Sequence, residues 1–181
     1  MMNTREIIKQ VAEHSDLYLR EVEALSIERL TWKERDEDWS LGQMYWHLIN
    51  TALYMQLSNV ETCISKEQHP AVLNAGKSEV GETVFSQGAI PPIRIQVPAS
   101  PQYTPLQPES KEQIVKGFQT VLQRMEETAP RLDARTSLHK VMHPGFGALD
   151  AREWFALIEM HYRHHFLQQE RLKNAWTSLQ A

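Results

Sequence analysis

A chain of 181 residues with a formal net charge of −4 is long enough to bury a sizeable core, and it carries no basic run that could track phosphates. Nucleic acid is therefore not expected as a partner. No apolar stretch approaches the roughly 20 residues needed to span a bilayer, and Met1-Met2-Asn3-Thr4-Arg5-Glu6 has no apolar signal core, so no membrane association and a cytoplasmic location are expected.

Four helical segments open with similar punctuation. Asn3-Thr-Arg-Glu6, Ser40-Leu-Gly-Gln43, Ser110-Lys-Glu-Gln113 and Asp150-Ala-Arg-Glu153 each place a capping residue three before a Glu or Gln. In such a box the two side chains satisfy orphan backbone amides reciprocally. The first helix is predicted from about Thr4 to about Leu30, with an apolar stripe of Ile7, Val11, Tyr18, Val22 and Leu25. The second runs from about Leu41 to about Ser65 and is apolar around much of its circumference, which predicts deep burial. Its Cys63 is the single cysteine, so no intrachain disulfide can form, and it reads as a small buried apolar residue.

Between the second and third helices lies a strap over residues 67–107 that includes Pro91, Pro92, Pro98, Pro101 and Pro105. These prolines predict an extended path. The segment is too apolar for a simple solvated linker, so it is expected to cross and cover one end of the molecule. The third helix is predicted from about Lys111 to about Thr128, with Ile114, Phe118, Val121 and Met125 inward. The fourth runs from about Ala151 to about Ser178. Four amphipathic helices of similar length predict an all-α four-helix bundle, with residues 1–181 as one domain. The long connection permits the second and third helices to run parallel.

Histidines carry the candidate chemistry. His161 and His165 lie one turn apart, on a face shared with Trp154, Ile158, Leu172 and Trp176. Two imidazoles in an apolar interior need a partner, and a metal ion is one. His47 alone reads as a satisfied buried histidine; beside this pair it reads as a third ligand. His164 falls on the flank of the stripe. His143 opens the turn-rich His143-Pro-Gly-Phe-Gly147 and reads as a turn residue rather than a metal-site neighbour. His14 reads as a core or rim histidine. Asn50 and Gln168 are candidates for orienting the ligand rings, with ordinary polar packing the plainer alternative. Three neutral imidazoles suit zinc, nickel or iron as a divalent ion, and a fourth position would stay open.

At these residues the chain resembles the DinB/YfiT-like superfamily of small metal-binding four-helix bundles. The resemblance rests on Trp39-Ser40-Leu41-Gly42-Gln43 followed by His47-Leu48, and on His143-Pro144-Gly145-Phe146-Gly147 leading through Arg152-Glu153-Trp154 to the His161/His165 pair. It implies up-down-down-up order, a His47, His161, His165 metal triad, and a homodimer. Members of that superfamily include S-transferases that use low-molecular-weight thiols such as bacillithiol or mycothiol, and others are described as metal-dependent hydrolases. The expectation is thus a metal-dependent thiol S-transferase acting on a small electrophile. A metallohydrolase would want a carboxylate beside the ion, and Glu153, Glu159 and Glu170 all fall off the ligand face. A non-catalytic metal-binding bundle is the remaining alternative.

Overall fold

The computed structural model describes residues 3–65, 74–93, 104–134 and 139–178. The chain is mostly helical, with a small two-stranded sheet. Helix α1 (Thr4–Ala24) begins where the Asn3 side chain accepts the Glu6 N–H. The expected run to Leu30 is interrupted. Leu25 is extended, and Ser26 accepts the Arg29 N–H to cap a separate short helix, α2 (Ile27–Thr31).

Helix α3 (Leu41–Asn50) opens with a full capping box between Ser40 and Gln43. It passes into a π-helical stretch (Thr51–Gln56) and continues as α4 (Leu57–Ser65). Helix α6 (Lys111–Asp133) runs through Pro130, five residues beyond the expected end at Thr128, because Leu132 still faces the core at 2% exposure. Helix α7 (Ala151–Ser178) starts from a reciprocal cap. The Glu153 N–H donates to Asp150 Oδ1 and the Asp150 N–H donates to Glu153 Oε2, both at 2.9 Å.

A helix and a two-stranded hairpin add to the expected elements. Within the strap, Glu79–Gln87 forms helix α5, capped by the Ser78 hydroxyl and stopped by Gly88 in the left-handed region. Residues 66–73 and 94–103 of the strap region lie outside the described residues. Before α7, β1 (Lys140–His143) pairs antiparallel with β2 (Gly147–Asp150). Ser78 ties the two additions together: its N–H donates to Phe146 O at 2.9 Å and its hydroxyl donates to Gly145 O at 2.8 Å. Gly147 has a φ of +78°, and a Cβ there would lie 2.5 Å from Ser78 N, so only glycine fits this corner.

α1 packs on α6 and α7, and α3 and α4 pack on the same two helices. The apolar stripes meet in one core, with Tyr18, Tyr45, Phe118, Trp154 and Tyr162 fully buried. An apolar side chain such as Phe118 contributes roughly 1.5–3 kcal/mol by leaving water. The Tyr18 hydroxyl donates to Tyr162 O at 2.6 Å, so its polar tip is satisfied. Cys63 is buried among apolar groups, which pushes its thiol pKa up to about 12 and leaves it inert as a nucleophile.

Candidate metal centre

α3 carries His47 two turns in, and α7 carries His161 and His165 on one face. Their packing brings the three rings together. His161 Nε2 lies 3.1 Å from His47 Nε2 and 3.0 Å from His165 Nε2. The ring planes are steeply inclined, 79° for His47 with His161 and 88° for His161 with His165. An imidazole nitrogen has a single in-plane site, occupied either by a proton or by a lone pair. His161 Nε2 can therefore serve one of its two neighbours by hydrogen bonding, not both. A cation among the three nitrogens accepts all three lone pairs. Ligands at roughly 2.0–2.1 Å around a tetrahedral ion stand about 3.4 Å apart, close to the spacing seen. Among the described residues this is a trio that could hold a metal ion, and no carboxylate is part of it.

The opposite ring nitrogens are only partly partnered. Nδ1 of His161 and of His165 is buried without a hydrogen-bond partner. Nδ1 of His47 faces Thr51 Oγ1 at 3.4 Å, in the first turn of the π-helical stretch. Such bulges re-aim side chains and recur at functional sites. Of the two expected orienting groups, Gln168 stands beside His165, whereas Thr51 takes the place expected for Asn50. Trp39 packs against His47 with ring centroids 5.0 Å apart.

Electrostatics keep these rings neutral. Burial pushes the His47 pKa down to about 4. Burial, then the neighbouring His47 and His164, pushes His165 down to about 3. Burial holds His161 well below the ordinary range, and the nearby His165, His47, His164 and His143 lower it further. Neutral imidazoles are the form a metal needs, so protons compete weakly.

The rings line a cavity of about 1020 Å³. Its apolar walls include Trp39, Met55, Ile90, Pro92 and Leu157, and Glu34, Arg35, Glu37, Asp38 and Arg171 also line it. The His161/His165 pair thus faces a cavity rather than a closed core. The Arg163 guanidinium holds the Ile90 side in place, donating to Gly88 O at 2.6 Å while paired with Glu159. Glu159 is wholly buried, with His14 Nε2 3.0 Å from its Oε1, so His14 is a rim residue serving that carboxylate. Burial raises the Glu159 pKa, but His14 and Arg163 outweigh it and leave it lowered.

His164 and His143 line the same cavity. His143 is the turn residue expected, since its Nδ1 accepts the N–H groups of Gly145 and Phe146 at 3.0 and 3.1 Å. Burial pushes its pKa down to about 4. Its presence at the cavity, like that of His164 and Thr51, was not foreseen. The HPGFG turn was a signal for it, because the turn delivers the chain directly into α7. His139 is buried, and His69 lies outside the described residues.

The family model for the DinB superfamily matches residues 10–168. The chain belongs to the DinB superfamily. Trp39, Ser40 and all three clustered histidines fall within the matched span. This superfamily includes metal-dependent enzymes. No curated protein and no solved structure matches the chain. Among the described residues, no helix of this DinB superfamily member is long and apolar enough to cross a membrane.

Proposed function

We propose that this DinB superfamily member is a metal-dependent S-transferase, joining a low-molecular-weight thiol to a small electrophile. The observation that carries the reading is the convergence of three neutral imidazole nitrogens, from His47, His161 and His165, on one point of a large cavity. A divalent transition metal, zinc, nickel or iron, would supply Lewis acidity there and turn a thiol into a thiolate near neutral pH.

The protein's own groups do the rest. Thr51 faces His47 Nδ1 and orients that ring, and Gln168 stands beside His165. Trp39, Met55, Ile90 and Leu157 give the cavity apolar walls against which an electrophile would pack away from water. At about 1020 Å³ the cavity sits at the upper end of single-ligand sites, which leaves room for two reactants. The new bond forms from a sulfur lone pair to the electrophilic carbon. The leaving group departs with its bonding pair, and the thiol proton passes to solvent. The same reading takes residues 1–181 as one domain, a four-helix bundle in up-down-down-up order, crossed by the proline-rich segment and working in the cytoplasm as a homodimer.

Hydrolysis is the second reading, favoured by the carboxylates of Glu34, Glu37 and Asp38 at the cavity. Metal-loaded protein mixed with a panel of cellular thiols and a chloronitrobenzene separates the two. Transfer predicts thiol consumption that needs both metal and His161. Product formation without any thiol supports hydrolysis instead. No reaction with any thiol in loaded protein sinks the transferase reading.

A further inference from the structure

His143 does more than shape a turn. Its Nδ1 accepts two backbone N–H groups, which fixes the ring proton on Nε2. One ring face stacks on Phe146, with centroids 4.3 Å apart and planes 7° from parallel, and Trp154 lies 5.2 Å away. One face and the Nδ1 edge are thus taken up by the protein. The ring lines the cavity, and its Nε2–H has no hydrogen-bond partner among the described residues. The two accepted N–H groups and the Phe146 stack restrain the ring, so its donor is preorganised.

We propose that His143 donates its Nε2–H to the anionic ligand that completes the coordination at His47, His161 and His165, and so is a binding residue of that site. This rests on the metal-centre reading above. A neutral, oriented donor favours an anion over water at the open position without adding a competing ligand. Its tautomer is set by the turn, in the way second partners set the tautomers of metal-bound histidines. The turn is in turn fixed by Gly147 and Ser78, so the hairpin serves to aim this ring.

The test uses cobalt(II)-loaded full-length protein, with azide as the probe anion and the cobalt absorption bands as readout. In His143→Asn, the side-chain oxygen can still accept the Gly145 and Phe146 N–H groups, as Asn does at the start of turns, but Nε2–H is gone. The expected result is unchanged cobalt content, a melting curve close to wild type, and azide affinity weaker by about ten- to a hundredfold. Equal azide affinity in the two proteins overturns the proposal. A second readout is independent of the variant. Ring-nitrogen correlation spectra of wild-type protein should show His143 protonated on Nε2, and protonation on Nδ1 overturns it. Failure of wild-type protein to hold cobalt refutes the metal centre itself, and this inference falls with it.

Discussion

The Nε2 atoms of His47 and His161 face each other at 3.1 Å across 114 residues of sequence. With His165 Nε2 also 3.0 Å from His161 Nε2, and the His165 ring 5.1 Å from that of His47, the arrangement exceeds what hydrogen bonds among neutral rings can satisfy. The cost of gathering these rings is borne by the fold, and it shows in their low proton affinity.

That cost predicts a pH dependence for the metal-free protein. The unfolded chain takes up protons on these histidines near pH 6.5. The folded chain refuses them until about pH 4 for His47 and about pH 3 for His165. More protons bound in the unfolded state means that stability rises with pH. Stability should therefore be level above about pH 7 and fall as pH drops from about 6.5 towards 4, by up to about 1.4 kcal/mol per pH unit for each such histidine. Glu159, whose pKa is lowered, loses its contribution only further down, below its unfolded value of 4.5. Urea unfolding from pH 8 to 4.5 checks this; a flat profile between pH 7 and 5 would contradict it.

Thr51→Val should leave the fold intact and loosen the centre. The change removes the oxygen that faces His47 Nδ1 and keeps the side chain's shape. Loss of such an orienting partner lowers metal affinity by about tenfold or more. Chelator competition measures it, and unchanged affinity would remove Thr51 from the site.

Glu159→Gln tests the buried carboxylate behind the cavity wall. The neutral amide keeps the volume but weakens the bonds to His14 and Arg163. A loss of about 1–3 kcal/mol in unfolding free energy is expected, because the Arg163 guanidinium loses its charged acceptor. No change in the urea midpoint would mean that the three groups are adequately solvated on their own.

Gly147→Ala should destabilise by about 2 kcal/mol or more. The substitution forces a side chain into a positive φ and against Ser78 N at the same time. Thermal unfolding reads the loss, and a variant as stable as wild type would show that the corner relaxes freely.

The sequence made the long elements legible where a cap and a period agreed. The helices predicted from Leu41 and Ala151 begin there, since Ser40 and Asp150 cap them, and they run helical through Ser65 and Ser178, the last described residue of each. The first helix ends at Ala24 rather than near Leu30 because Ser26 caps a new helix, with no break in the apolar pattern to mark it. Helix α5 was hidden by the prolines around it, although Ser78, Glu79 and Glu82, Val80 with Val84, and Gly88 spelled a short capped helix. The hairpin strands are four residues each, too short for alternation to register. The three candidate ligands could be picked by spacing along two helices. Thr51, His143 and His164 could not, since a π-helical shift, a hairpin and a cavity wall place them, and none of these has a period.

The central claim is that His47, His161 and His165 hold one metal ion together. The most direct measurement is the metal content of tag-free protein and of His47→Ala, His161→Ala and His165→Ala, each shown to be folded by circular dichroism, after incubation with zinc, nickel or ferrous iron. About one ion per chain in wild-type protein, lost in all three variants, is the predicted result. Wild-type protein without metal, or variants that retain it, would contradict the account.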